Sequence, residues 1–207
     1  MGFSNLLKDN FDELSREEQK KYAEMISESS GNLFKLLENL LQWARAQTNK
    51  IEYKPENFEL SQLLQDNFSL YKNQALKKDI ELIADFKSEI MVFADKGMTD
   101  VVIRNLLSNA IKFTKKSGRV EISVHENSEY VRIGIIDNGV GIKQQEAEKL
   151  FRIDSKVKTA GTDNEQGTGL GLIICKEFVE RNEGEIWVES AVNMGSKFFF
   201  TLPKSAV

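Results

Sequence analysis

The sequence predicts an α+β chain in two parts, a helical hairpin of the four-helix-bundle type and then a two-layer α/β sandwich. Three observations predict it. A heptad of apolar residues runs through the first fifty or so positions. The helical pattern then breaks between Asn49 and Phe58, around Pro55. Beyond the break, apolar alternation at a spacing of two mixes with amphipathic helical stretches. The two units fall at residues 1–54 and 55–207.

In the first unit, Ser15 to about Thr48 reads as one helix, opened by Ser15 and Glu18 in a capping-box spacing. Tyr22, Ile26, Ser29, Leu33, Leu36, Leu40 and Trp43 step alternately by four and three, and Leu37, Leu41 and Ala44 widen that seam. Residues 3–11 read as the end of a preceding helix, joined through a turn at Asp12 to Ser15. So short a stub cannot cover so wide a stripe. A second copy of the chain is therefore expected against it, as a homodimer through these helices.

In the second unit, Leu60–Lys77, Met98–Phe113 and Leu170–Asn182 carry helical periodicity. Ile80–Phe86, Ile90–Ala94, Val120–Val124 and Val131–Asp137 read as strands, and Glu185–Glu189 with Lys197–Leu202 as a closing hairpin around Asn193-Met194-Gly195. Helices on one face of a mixed sheet give the sandwich. Cys175 and Trp187 read as packing residues, and Phe198-Phe199-Phe200 as a buried strand that cannot turn all three rings to one side.

Composition narrows the function. At 41% hydrophobic and 29% charged, the 207 residues suit a globular protein. A net charge of -4 argues against a broad basic face, and so against nucleic acid. No apolar run nears the roughly 18 residues of a membrane span, so no direct membrane contact is expected. The N-terminus lacks the layout of a signal peptide. One cysteine rules out an internal disulfide and fits a reducing compartment, which makes a cytoplasmic location the expectation.

Three clusters carry chemistry. In VRIGIID, Val131, Ile133 and Ile135 share a strand face and Asp137 continues that row inward, where its carboxylate needs a donor. The exocyclic amine of adenine would serve, and Gly139 and Gly141 would let the chain turn tightly there. The alternative is an acid in an ordinary Asp-Asn-Gly turn. In IRNLLSNAIKFT, Asn105, Asn109 and Lys112 occupy one helical face. An amide oxygen can ligate Mg²⁺ and a lysine can meet phosphate, although a solvated polar stripe would look the same. In GTGLGL, Gly167, Gly169 and Gly171 precede a helix whose N-terminus suits an anion. The pattern is neither a P-loop nor a dinucleotide fingerprint. The Lys-, Thr-, Asp- and Asn-rich stretch between the glycine clusters reads as a lid. Together the clusters specify a purine nucleoside triphosphate with magnesium, the base at Asp137 and the phosphates near Gly167 to Gly171.

The order IRNLLSNAIKFT, DNGVGI, KLFRI, GTGLGL, closing on GEIWVES and GSKFFFTLP, resembles the catalytic domain of the sensor histidine kinases of two-component systems. The helical unit resembles their dimerisation and phosphoacceptor domain. The resemblance implies the Bergerat ATP-binding fold, ATP and Mg²⁺ as cofactors, and a response-regulator receiver domain as partner. It implies Asn109 as the Mg²⁺ ligand, Asn105 as its companion on the phosphate side, Lys112 on phosphate and Asp137 on adenine. Gly139, Gly141, Ile142, Gly167, Thr168, Gly169, Leu170, Gly171 and Leu172 would shape the ATP pocket, with Phe151 as the aromatic that positions the lid. Arg152, Lys156 and Lys158 are candidates for the γ-phosphate.

One departure stands out. The family uses a histidine nucleophile on the first helix of the dimerisation domain, and the only histidine here is His125, on the polar face of a strand. The segment GFSNLL resembles the stretch that family members carry one to two helical turns past that nucleophile, so the chain is expected to bind ATP without phosphorylating itself. A non-catalytic, nucleotide-sensing dimerisation module is the rival reading. Hydrolases of the wider superfamily are disfavoured, because they place a glutamate base where this chain has Asn105.

Overall fold

The computed structural model describes residues 3–47, 52–87, 89–152, 161–163, 165 and 169–205. A short helix α1 (Phe3–Asp9) turns back into α2 (Arg16–Gln47). The turn is closed by Asn10, whose side-chain amide donates to the Leu6 carbonyl at 3.2 Å. The expected capping box is formed: Glu18 Oε2 accepts from Ser15 N at 2.9 Å, and Glu18 N donates back to Ser15 Oγ at 3.3 Å. On α2, Leu33, Phe34, Leu37 and Leu41 are each more than half exposed. The side chains of Leu36, Leu40, Trp43 and Ala44 lie outside the described residues.

The main sheet has the order β2-β4-β5-β7-β6, built from β2 (Glu81–Asp85), β4 (Arg119–Glu126), β5 (Tyr130–Asp137), β7 (Ser196–Pro203) and β6 (Ile186–Ser190). The β2–β4 pair is parallel and the other pairs are antiparallel, so the sheet is mixed as expected. One face is covered by α3 (Leu60–Lys77), α4 (Lys96–Phe113) and α6 (Gly171–Arg181). A four-residue helix α5 (Gln144–Ala147), not anticipated from the sequence, comes after the first glycine turn.

The core sits between these layers. Val131, Ile133 and Ile135 of β5 and Phe200 of β7 are wholly buried against Ile103, Leu106 and Leu107 of α4 and Ile174 and Cys175 of α6. The pleat splits the Phe198-Phe199-Phe200 run. Phe198 and Phe200 point into the core, while Phe199 stacks on Trp187 across the outer face at 5.4 Å between centroids. His125 lies exposed near the end of β4.

One segment departs from expectation. Residues 55–58, read only as part of the break in the helical pattern, begin a strand: β1 (Pro55–Glu59) pairs antiparallel with β3 (Met91–Asp95) in a separate two-stranded sheet. Pro55 lacks an N–H, but at the first residue of an edge strand that omission costs little, and Phe58 is buried in the core. Just ahead of β1, the Lys54 N–H donates to Asp95 Oδ2 at 2.9 Å while Asp95 Oδ1 caps α4 through Met98 N. Among the described residues no helix is long and apolar enough to cross a membrane.

Candidate functional site

The site is assembled around α4. Its amphipathic pattern buries Val102, Ile103, Leu106, Leu107, Ala110 and Ile111, and this fixes the rotation of the helix about its axis. That rotation leaves Asn105, Asn109 and Lys112 half-buried along a neighbouring face. Asn105 Nδ2 donates to the carbonyl of Val101 at 2.9 Å, which orients the amide and leaves Oδ1 facing Gly171. At the start of α6, a Cβ on Gly171 would lie 2.5 Å from that Oδ1. The absence of a side chain at residue 171 therefore lets the start of α6 approach the first asparagine.

Toward its C-terminal end, α4 meets the first glycine turn. Val140 N donates to the Phe113 carbonyl at 3.1 Å, and a Cβ on Gly139 would stand 2.3 Å from the same oxygen. Gly141 has φ +67°, and a Cβ there would meet the Ala191 carbonyl at 1.9 Å. The close approach that requires these glycines is thus to the protein's own backbone. Ile142 continues the turn half-buried, its N–H donating to Ser190 Oγ at 2.9 Å.

Asp137 ends β5 with 6% of its surface exposed. Its Oδ1 accepts two N–H groups, from Gly139 at 2.9 Å and Ser196 at 3.2 Å. Among the described residues no protein donor reaches Oδ2. Burial pushes its carboxyl up from 3.8 to about 6, against the pull of those two N–H groups. The carboxylate is thus held at one oxygen and left able to accept a ligand donor at the other.

Lys112 closes the face. Its ammonium lies 4.9 Å from the centroid of the Phe113 ring. Burial lowers its affinity for a proton, the Glu165 charge opposes that shift and the Lys78 charge adds to it. Among the described residues no cluster of three His, Cys, Asp or Glu side chains could hold a metal. The neutral amide of Asn109, half-buried on this face, could serve as one oxygen donor to Mg²⁺, which commonly keeps phosphate oxygens and waters as its other ligands.

The other predicted residues fall into two groups. Phe151, in the turn after α5, packs on the core, as do Leu170 and Leu172 at the start of α6. Gly169 takes φ +78° just before that helix. Gly167, Thr168, Lys156 and Lys158, with most of the stretch read as a lid, lie outside the described residues. Four residues that sequence reasoning passed over belong to this region. Ser196 reaches Asp137 only through the β5–β7 register, in which the two residues are partners. Lys78, Thr162 and Glu165 gather at the end of α4, with Lys78 Nζ and Glu165 Oε1 2.8 Å apart.

Comparison with known proteins identifies the family. Residues 95–206 match the family described as histidine kinase-, DNA gyrase B-, and HSP90-like ATPase. The adaptive-response sensory kinase SasA of Rippkaea orientalis is 33% identical over 171 residues, 82% of this chain and 43% of that protein. A crystal form of the catalytic domain of histidine kinase ThkA superposes with TM-score 0.63 at 31% identity, covering 73% of this chain and 96% of that one. Full-length ShkA, solved in complex with AMPPNP, superposes with TM-score 0.76 at 26% identity over 92% of this chain and 40% of its own. The chain spans half or less of the length of the SasA kinases it matches. With the matched region covering over half of its residues, and sensor histidine kinases among its relatives in sequence and structure, the chain belongs to the histidine kinase-, DNA gyrase B- and HSP90-like ATPase family.

Proposed function

We propose that this chain is the ATP-binding catalytic region of a two-component sensor histidine kinase, working in the cytoplasm as a homodimer through α1 and α2. The observation that carries the reading is the buried Asp137, with two backbone N–H groups on Oδ1 and none from the described protein on Oδ2. An adenine N6–H fits Oδ2. Asn109, one turn before Lys112, would hold Mg²⁺, whose chemistry is to draw off charge from the phosphate oxygens. Asn105 would hold the phosphate side, with Lys112 placed for a phosphate oxygen. Gly167, Thr168, Gly169, Leu170, Gly171 and Leu172, with Ile142 and Phe151, would complete the pocket.

The reaction would move the γ-phosphoryl group to a histidine nitrogen. The bond from phosphorus to the β–γ bridging oxygen breaks, a P–N bond forms, and ADP carries away the electron pair. An aspartate of a response regulator would receive the group next. The residues at this site do not abstract a proton from water. Asn105 stands where a hydrolase of the superfamily would need a base, and its amide is already tied to Val101. His125 lies exposed on β4 and is not the acceptor in this reading. The chain alone should therefore bind ATP and stay unphosphorylated.

The test is a titration of a fluorescent ATP analogue with and without Mg²⁺. Saturable binding that tightens with Mg²⁺ is expected, and no binding at millimolar nucleotide would end this reading.

A further inference from the structure

Lys78 is a lysine where the periodicity of α3 predicts nothing of interest, yet its side chain is only 7% exposed. The end of α3 places it there. Asp79 takes φ +56° just past the helix, and the Ile80 N–H bonds back to the Ala75 carbonyl, so the chain reverses and Lys78 is carried inward. An ammonium has three protons. Here each has an acceptor: the carbonyls of Ile111 at 3.1 Å and Lys112 at 3.0 Å, and Glu165 Oε1 at 2.8 Å. The first two are carbonyls left open at the end of α4, where a cation is favoured. The third ties a distant stretch of chain to that helix end.

That stretch is itself seated on Lys112. Thr162 N donates to the Lys112 carbonyl at 3.1 Å, and the Thr162 hydroxyl lies within reach of the Lys112 and Thr114 carbonyls at 3.1 and 2.9 Å. Glu165 folds the stretch on itself: its carbonyl accepts from Gly161 N at 2.9 Å and its Oε2 from Asp163 N at 2.8 Å. Gly161 then lies over the Lys112 stem, where a Cβ would be 2.6 Å from Lys112 Cγ. The Lys112 stem therefore has Gly161 on one side, and its ammonium has the Phe113 ring near it. Burial alone would raise the Glu165 carboxyl, but the Lys78 hydrogen bond, two backbone N–H groups and the Lys78 charge carry it below its ordinary value.

We propose that Lys78 and Glu165 form a latch that positions the Lys112 ammonium for the outer phosphates of the nucleotide. The inference rests on the nucleotide reading above and adds two positioning residues to it. Without the Lys78–Glu165 pair, the one charged tie left on this stretch among the described residues is Lys78 with Asp163, at the longer distance of 4.0 Å, and the long Lys112 side chain regains its rotamers. The loss should fall on contacts to the outer phosphates and spare those to the base.

Displacement of a fluorescent ATP analogue by unlabelled ATP and by AMP, both with Mg²⁺, tests this in Glu165→Ala and Glu165→Gln. Glu165→Gln keeps an acceptor for the buried Lys78 ammonium, and circular dichroism on both variants checks that the fold is kept. The expected result is ATP affinity lowered roughly fivefold or more for Glu165→Ala, less for Glu165→Gln, with AMP affinity unchanged. On a Lys112→Ala background Glu165→Ala should cost nothing further, because it acts through that lysine. Lys78→Met, if it folds, should reproduce the same selectivity. Unchanged ATP affinity in Glu165→Ala, equal losses for ATP and AMP, or full additivity with Lys112→Ala would each overturn the latch alone. A wild-type chain that binds no ATP overturns the nucleotide reading and the latch with it.

Discussion

Asp137 and Ser196 are register partners on β5 and β7, and the Ser196 N–H donates to Asp137 Oδ1 at 3.2 Å. Together with Gly139 N on the same oxygen, this fixes the carboxylate rotamer before any ligand arrives. Replacing Asp137 by Asn keeps an acceptor for both N–H groups and turns an NH₂ toward the base amine, donor against donor. A hydrogen bond to a charged group contributes about 1.5–3 kcal/mol. Asp137→Asn should therefore weaken ATP binding roughly 10–100-fold at neutral pH while the protein stays folded. Equilibrium titration alongside circular dichroism checks both halves, and unchanged affinity would remove Asp137 from the base contact.

The same carboxyl predicts a pH dependence. Its value in the folded chain is about 6 against an ordinary 3.8, so the folded protein binds this proton more tightly than the unfolded chain does. Its contribution to stability is therefore fully present below about 3.8 and is lost as pH rises through about 6. Nucleotide binding runs the other way, since only the ionised form accepts the amine. ATP affinity should rise between pH 5 and 7 and then level off, relative to Asp137→Asn, which should lack this rise. Parallel pH curves for the two proteins would rule out this group as their cause.

How much of this was legible beforehand depends on range. The capping box at Ser15 and Glu18, the apolar row leading to Asp137 and the face carrying Asn105, Asn109 and Lys112 are set by neighbours within a few residues, and each forms as read. The features that were missed depend on distant pairing. Pro55 reads as a breaker, and only its pairing with Asp95 makes it the start of a strand. Ser196 gains its role from a partner 59 positions away, and Lys78 reads as solvated until Glu165 arrives from 87 positions away. Asn182 illustrates the same limit: its Oδ1 accepts from Asp95 N at 2.6 Å and its Nδ2 donates to the Phe178 carbonyl at 2.7 Å.

That buried asparagine gives a stability prediction. With 1% of its surface exposed, Asn182 joins the end of α6 to the start of α4. Asn182→Ala would strand the Asp95 N–H away from water, at a cost of about 1–3 kcal/mol. At this chain length each kcal/mol lowers the melting temperature by about 2–4 °C. A drop of several degrees with ATP affinity unchanged is expected from thermal melts and titration. A fall in affinity in the folded protein would mean that α4 shifts when this bond is lost.

Gly141 should be less forgiving. Alanine there must adopt φ +67° and place its methyl against the Ala191 carbonyl, a backbone atom that cannot swing aside. Backbone strain of this kind costs about 1–3 kcal/mol before any clash is counted. Gly141→Ala should therefore destabilise the protein at least as much as Asn182→Ala and also displace the turn beside Asp137. Chemical denaturation would report the first effect and weakened ATP binding the second. A variant with wild-type stability would show that the turn relaxes freely.

The exposed leucines of α2 test the proposed dimer. Leu33, Leu37 and Leu41 recur at four-residue spacing and stand 58%, 54% and 51% exposed, a strip that water would have to cover in a monomer. A glutamate at a core position of a helical bundle would bury an unpaired charge, which is strongly unfavourable. Leu33→Glu with Leu37→Glu should shift the chain from dimer to monomer in sedimentation equilibrium. These positions lie far along the chain from Asp137 and α4, so ATP affinity should be unchanged in the same variant. A wild-type protein that sediments as a monomer at tens of micromolar would refute the dimer and leave the nucleotide site untouched.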